Sequence, residues 1–194
     1  MSPRGLVIDA PLFTTVISQL GRRGGGQRES GAFLLSSRPQ GTQSNDTADW
    51  PVVIALAYYD DLDPTCLTGG ITFGADGYAA LNALCRKDAL RVVGDIHTHP
   101  RTWVSQSRTD ASHPMAALDG HIALIAPNYA IGAITPAELG AHVFHPAGWT
   151  SYFGADVAAV LRVSGHPGTA ALAFRRLRAT AAQVRRVITF RRKP

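Results

Sequence analysis

Cysteine is scarce in this sequence. The 194 residues include two, Cys66 and Cys85, and neither belongs to a C-x-x-C pair. Thiolate zinc sites and dithiol redox centres both need cysteines at short, fixed spacings. The sequence therefore indicates neither kind of centre, and we expect both cysteines to be ordinary free thiols, buried or half-buried.

Long apolar runs are also absent. The longest stretches, such as Pro51–Tyr59 and Ile122–Ala126, fall far short of the roughly 20 residues that are needed to cross a bilayer. Asp9 interrupts the first apolar segment before it reaches the length of a signal peptide. We therefore expect a cytoplasmic protein without a membrane span. A length of 194 residues with 45% hydrophobic content predicts one main domain.

Acidic residues are missing from the last part of the chain. Residues 169–194 carry eight basic side chains and no acidic one, so the preceding residues carry a net charge of −3 within the total of +5. Helix-forming residues dominate over Asp156–Val163 and Ala170–Val187, which predicts a helical, Arg-rich extension over 156–194. Its basic face is either solvated or contacts an acidic partner, a nucleic acid or a membrane surface. Because almost no aromatic residues interleave with the arginines, we do not expect specific nucleic-acid binding.

Hydrophobic periodicity predicts a mixed sheet with flanking helices, an α/β fold. Asp9 is placed to cap a first helix that ends at Gly21, and Asp76 is placed to cap a later one. Strands are predicted at Gly31–Ser37, Trp50–Tyr59, Leu90–Ile96, His121–Ala126 and Ala141–His145. The segment over 38–49 is polar and rich in turn residues, so we expect an exposed loop there.

One constellation in the sequence points to metal chemistry. His97 and His99 follow a predicted strand, and Asp110 lies 11 residues beyond His99. Two histidines separated by one residue at a strand end point to the same side, so their imidazoles can converge on one ion with a carboxylate as third ligand. Three protein ligands leave one position open, which is typical of catalytic rather than structural zinc.

Hydrolysis at such a metal also needs a proton acceptor and a hydrogen-bond donor for the oxyanion. The chain contains two glutamates, and Glu29 is the one that stands just before a predicted strand, Gly31–Ser37. A glutamate at the start of that strand can be delivered to the metal site. Ser107 precedes Asp110 in the pattern H-x-H-x7-S-x2-D and offers a hydroxyl.

The order of these residues resembles that of the JAMM (JAB/MPN-type) zinc metalloproteases. Glu29–Leu34 looks like the glutamate strand of that family and Val93–Pro100 like its metal strand, and the resemblance extends over roughly Leu6–Trp149. It implies a JAB/MPN metallopeptidase domain over 1–155, with a fold whose layout is like that of cytidine deaminases. Those deaminases carry H-x-E and P-C-x-x-C motifs. This sequence has no P-C-x-x-C, so we do not expect deamination.

The resemblance also implies roles for particular residues. His97, His99 and Asp110 would bind Zn²⁺, Glu29 would act as the general acid/base, and Ser107 would stabilise the tetrahedral intermediate. Compact members of the family resemble enzymes that process or deconjugate ubiquitin-like proteins, often beside activating and conjugating enzymes. We therefore expect hydrolysis of an amide or isopeptide bond in a ubiquitin-like protein or its conjugates.

Other interpretations of the same residues remain open. Ser107 and Asp110 fit a helix capping box, and Glu29 fits a solvated loop carboxylate. Asp95 is placed to orient an imidazole from behind the ligands. The site chemistry also suits a small-molecule or short-peptide hydrolase, and an MPN-type scaffold without catalysis is the non-enzymatic alternative.

Overall fold

The computed structural model describes residues 5–38, 50–68 and 70–165. The strands are β1 (Leu6–Asp9), β2 (Gly31–Ser37), β3 (Val52–Val53), β4 (Ala55–Tyr58), β5 (Leu90–Thr98), β6 (Ile122–Ala126), β7 (Gly140–His145), β8 (Gly148–Phe153) and β9 (Leu161–Ser164). The α-helices are α1 (Ala10–Gly24), α2 (Tyr59–Leu62), α3 (Ala75–Lys87) and α4 (Arg108–Ser112). Residues 39–49 of the loop predicted over 38–49 lie outside the described residues, as does the helix predicted over 170–187.

Within these ranges the strands form two sheets, and the fold is a mixed α/β structure with helices flanking the sheets. Six strands lie in the order β4-β2-β5-β6-β7-β8, with β5 and β6 parallel and the other neighbours antiparallel. The smaller sheet has the order β3-β1-β9 and is parallel throughout. None of the helices in the described ranges combines the length and apolarity that a bilayer crossing requires.

Helix α1 begins as the sequence predicts but runs further. The Asp9 carboxylate accepts a hydrogen bond from the Leu12 amide at 2.6 Å, which caps the first turn. The predicted end at Gly21 is wrong, because the helix continues to Gly24 and ends at Gly25 in the left-handed conformation. Gly21 instead permits close packing, since a Cβ atom there would lie 2.6 Å from the Ala130 carbonyl oxygen.

The larger sheet separates two apolar clusters. Alternate residues of β2 point to opposite faces, so Ala32 and Leu34 pack with α1, whereas Phe33 and Leu35 pack on the side of α3. The predicted cap at Asp76 is wrong. Helix α3 begins at Ala75 after Gly74, whose amide donates to the Asp63 carboxylate at 2.9 Å, so Asp76 lies in the first turn.

The predicted single strand over Trp50–Tyr59 is two short strands that belong to different sheets. Val52–Val53 pairs with β1, whereas Ala55–Tyr58 pairs with β2. The Ile54 amide between them donates to the Leu35 carbonyl at 2.8 Å. A continuous apolar run shows that the segment is buried, but it does not show which neighbour each part pairs with.

Residues 156–163 also differ from the prediction. Gly154–Ala159 forms a 3₁₀ helix, and Leu161–Ser164 is strand β9, paired in parallel with β1. The prediction of α-helix there is wrong, because pairing with β1 outweighs the helix preference of a short apolar run. The remainder of the predicted 156–194 extension, beyond residue 165, lies outside the described residues.

A left-handed turn follows β6. Asn128, Tyr129 and Ala130 have φ angles of 51°, 55° and 56°, a conformation that costs roughly 1–2 kcal/mol for each L-residue. The Tyr129 amide donates to the His99 carbonyl at 2.7 Å, and the Asn128 amide donates to the Arg101 carbonyl at 3.0 Å. The strained turn therefore holds the segment that leaves β5.

This turn makes stability sensitive to side-chain shape at Asn128. Asn128 is exposed, so a substitution there removes little packing. Asn128→Val should lower the free energy of unfolding by about 1–2 kcal/mol, because a β-branched residue is poorly accommodated at positive φ. Asn128→Gly, the matched control, should leave it unchanged or slightly higher. Urea unfolding of both variants measures the difference in stability. Equal unfolding midpoints for the two variants would show that the backbone at position 128 is not strained.

Candidate metal centre

The pairing of β2 with β5 brings the predicted residues together. Gly31 lies opposite His97, and the Thr98 amide donates to the Ser30 carbonyl at 3.0 Å just beyond the paired ends. Continuing this antiparallel register places Glu29 opposite His99. Residues directly opposite each other share a face of the sheet, so Glu29 lies on the same side as both histidines.

The three predicted ligands converge on one point. His97, His99 and Asp110 each offer a ligand atom, and these atoms all lie within 4.8 Å of one another. Asp110 Oδ2 is 3.3 Å from Nε2 of His99 and 3.9 Å from Nε2 of His97. Both histidines are buried and Asp110 is half-buried. His97 lies within strand β5, His99 is the first residue after the end of that strand, and Asp110 lies in α4.

Nδ1 of His99 faces a backbone acceptor. It lies 3.1 Å from the Trp103 carbonyl oxygen, which assigns the ring proton to Nδ1 and leaves the Nε2 lone pair facing Asp110. The Trp103 ring stacks on the imidazole of His99 at 5.5 Å between centroids, and this indole is 55% exposed. His142 Nε2 lies 2.9 Å from the Val104 carbonyl and anchors the same loop to β7. Sequence reasoning missed both Trp103 and His142.

A buried carboxylate lies behind His97. Asp95 is 1% exposed, and its Oδ2 lies 3.6 Å from Nδ1 of His97. Its other oxygen lies 2.6 Å from Nε2 of His121, and the Tyr59 hydroxyl donates to Oδ2 at 3.1 Å. Burial alone would raise the pKa of Asp95, but the hydrogen bond from His121 and the nearby imidazole of His97 outweigh it and hold the pKa at about 2. The sequence suggested Asp95 through strand alternation, but nothing in the local pattern identified Tyr59 or His121.

Glycine at position 31 makes room for this arrangement. A Cβ atom on Gly31 would lie 2.2 Å from Cε2 of Tyr59, whose ring is fully buried. The glycine therefore lets the tyrosine pass close to β2 and reach Asp95.

Ser107 and Asp110 form the capping box and also lie at the site. The Ser107 hydroxyl accepts from the Asp110 amide at 3.1 Å, and the Asp110 carboxylate accepts from the Ser107 amide at 2.8 Å. The same Oδ2 atom that receives the Ser107 amide faces both histidines. The cap and the ligand positions are therefore compatible, since the first turn of α4 fixes the carboxylate that it presents.

The Glu29 side chain lines the cleft. Its side chain is half-buried, and burial raises its pKa from the usual value while the nearby histidines 97 and 99 oppose the rise. Across the cleft mouth, a Cβ atom at Gly70 would lie 3.7 Å from Glu29 Oε2. A raised pKa makes the carboxylate a stronger base.

The cleft itself has a volume of about 540 Å³. Its polar floor includes Glu29, Asp95, His97 and Asp110, and its walls carry apolar and aromatic side chains: Tyr59, Ile71, Phe73, Tyr78, Met115 and Trp149. A second groove of about 460 Å³ lies between α1 and residues 130–134. That groove is lined by no histidine or carboxylate among the described residues, so the candidate site lies in the first cleft.

The site fits a divalent cation. Nε2 of His97 is buried and has no hydrogen-bond partner in the described structure, although the ring nitrogen points towards Asp110. Burial alone would lower the pKa of His97, but the charges of Asp95, Asp110 and Glu29 raise it overall, so the surroundings favour a positive charge. Two imidazole nitrogens and a carboxylate oxygen are a donor set that zinc accepts.

Comparisons with known proteins bear on the fold. No protein-family model matches the chain. A protein from Desulfitobacterium hafniense, known from a solution structure, is similar with a TM-score of 0.56 and 15% identity, over 83% of this chain and 94% of that one. A protein from Salinibacter ruber is similar with a TM-score of 0.49 and 19% identity, over 80% and 90% of the two chains. The first similarity shows a shared fold, and at such identity it shows nothing of activity.

The close passage of Tyr59 predicts an effect at Gly31. Gly31→Ala should lower the free energy of unfolding by about 1–3 kcal/mol, because the added methyl group overlaps a buried ring. Gly24→Ala is the matched control, since a Cβ atom there meets Ser30 Oγ at 3.5 Å, an ordinary contact. Thermal unfolding of the two variants compares them. If both variants unfold at the wild-type temperature, the Tyr59 ring does not pack as closely against position 31 as the structure shows.

Proposed function

We propose that this chain is a zinc-dependent metallopeptidase of the JAMM (JAB/MPN) type that hydrolyses an amide or isopeptide bond. The observation that carries the proposal is the convergence of His97, His99 and Asp110 within 4.8 Å, with Glu29 on the same face of the sheet. The chain order of a glutamate strand, H-x-H-P and S-x-x-D adds the resemblance to that family. The JAB/MPN fold assignment, with its cytidine-deaminase-like layout, is part of this proposal.

His97, His99 and Asp110 would hold the zinc ion. When bound, zinc supplies a Lewis acid that polarises a carbonyl group and lowers the pKa of water to about 7. The acceptor at Nδ1 of His99 leaves its Nε2 lone pair available for such an ion. The capping box holds Asp110 in place before any ion binds, so little ordering is needed at this ligand.

Glu29 would act as the general acid/base. Its half-buried carboxylate borders the cleft that contains the ligands, and it can accept a proton from the attacking water and pass it to the leaving amine. Burial raises the pKa of its carboxyl group, which makes the carboxylate a stronger base for the first of these transfers.

Ser107 would stabilise the tetrahedral intermediate. Its oxygen accepts from the Asp110 amide and therefore already has one partner. A hydroxyl group that accepts one hydrogen bond still has a proton to donate. That proton can reach an oxyanion in the cleft, which Ser107 helps to line.

We propose a ubiquitin-like protein or its conjugates as the substrate, and associated activating or conjugating enzymes as partners, in a cytoplasmic setting. This part of the proposal rests on the resemblance to compact members of the family. A cleft with apolar walls and a polar floor suits a peptide segment. Cleavage of a ubiquitin-like fusion, compared with cleavage of short peptides and amidated small molecules, separates this substrate from the short-peptide and small-molecule alternative.

Metal content tests the ligand assignment. Protein purified without added zinc should carry about one zinc per chain, because three ligands converge in one site. His99→Ala should reduce the content to a small fraction of that. His145→Ala is the control, since His145 forms an exposed pair with Asp119 at 2.9 Å and does not line the cleft. Mass-spectrometric metal analysis gives the result, and equal zinc in wild type and His99→Ala would contradict the assignment.

Substitution of the glutamates tests the mechanism. Glu29→Gln should lower the rate of hydrolysis by about 10²–10⁴-fold while the zinc content is unchanged, because the amide cannot accept the proton. The chain has one other glutamate, Glu138, which caps an exposed 3₁₀ turn. Glu138→Gln should keep the wild-type rate. Full turnover in Glu29→Gln, measured on the fusion substrate, would rule out the proposed role.

A further inference from the structure

The network of Asp95, His121 and Tyr59 has no role in the ligand set, yet it is buried directly behind it. All three side chains lie on the α3 side of the larger sheet and are 4% exposed or less. His121 precedes β6 by one residue and shares a face with Ala123, which pairs with Asp95. The network therefore joins β5 to the start of β6 and to the end of β4.

Burying a carboxylate in such a place is costly. Its desolvation is repaid only if several donors satisfy its oxygens, and an apolar side chain of similar size is often at least as favourable for stability. Asp95 receives the Tyr59 hydroxyl at 3.1 Å and lies 2.6 Å from Nε2 of His121. Two partners from distant segments, one at the start of α2 and one just before β6, thus hold the carboxylate in one orientation. A merely structural position would not need a charge there.

The orientation that results points one oxygen at a proposed ligand. Asp95 Oδ2 lies 3.6 Å from Nδ1 of His97, slightly longer than a direct hydrogen bond. Nε2 of the same ring is on the opposite side, facing Asp110 at 3.9 Å, and is buried without a partner. A carboxylate that faces one ring nitrogen assigns the proton to it and leaves the other nitrogen free to bind a metal.

We infer that Asp95, held by His121 and Tyr59, is a positioning residue that fixes the tautomer and direction of His97 for metal binding. His99 is served by a backbone carbonyl, that of Trp103, at the equivalent Nδ1 atom. The two ligands are therefore oriented by different means, one by a charged side chain and one by the main chain. The inference rests on the proposed metal site but not on the proposed hydrolysis.

Zinc affinity is the first test, measured on the full chain by competition with a chromophoric chelator. Asp95→Asn should bind zinc about 10–100-fold more weakly than wild type. Asp60→Asn is the matched control. It removes a carboxylate that lies 2.6 Å from Arg23 and does not line the cleft, so the variant should keep the wild-type affinity. The inference would be overturned if the metal-free Asp95→Asn variant unfolds at the wild-type temperature and binds zinc as tightly as the wild type does.

Variants of His121 distinguish positioning from general loss of packing. His121→Leu removes the donor to Asp95 and should also weaken zinc binding. His121→Gln restores an N–H donor of similar reach and should recover most of the affinity, to within about threefold. Equal affinities in the Leu and Gln variants would count against a role for the hydrogen bond.

A spectroscopic test needs neither zinc nor a substrate and remains available if Asp95→Asn fails to fold. The ¹⁵N shifts of the His97 ring in metal-free wild-type protein, at a pH where the imidazole is neutral, report which nitrogen carries the proton. A proton on Nδ1 supports the inference, and a proton on Nε2 overturns it. Failure of hydrolysis with the Nδ1 tautomer present would contradict the proposed function alone.

Discussion

The antiparallel pairing of β2 with β5 is the constraint on which the site depends. With Gly31 opposite His97, one register places Glu29 beside the histidines and Gly31 beneath the ring of Tyr59. A slip by one residue would turn every side chain of one strand to the other face. Packing on both faces of β2 opposes such a slip, because the slip would move Phe33 from the α3 side to the side of α1. The register that builds the core thus also builds the site.

Elements outside this pair hold the remaining groups with backbone and side-chain contacts. The first turn of α4 fixes Asp110 through its capping box, and the left-handed turn at 128–130 holds the carbonyl of His99. His142 anchors the loop that supplies the acceptor for the same imidazole. The proposed ligands are therefore largely preorganised, which lowers the free-energy cost of binding a cation.

The sequence alone predicted those features that depend on residues close together in the chain. The Asp9 cap, the Ser107 capping box and the two histidines at the end of a strand follow from spacings of a few residues. Apart from the approach of Glu29 to the histidines, contacts between distant segments were not predicted. His121 meets Asp95 across 26 residues, and β9 pairs with β1 across most of the described chain. A short apolar run shows burial, but which strand it joins depends on the whole fold.

The central claim is that His97, His99 and Asp110 bind one zinc ion beside Glu29. X-ray absorption at the zinc edge of the loaded protein tests it most directly, because the spectrum resolves imidazole scattering from sulfur and from water. The account predicts two imidazole nitrogens and further oxygen ligands at about 2.0–2.2 Å, without sulfur. A spectrum with thiolate ligands, or with no histidine scattering, would contradict it.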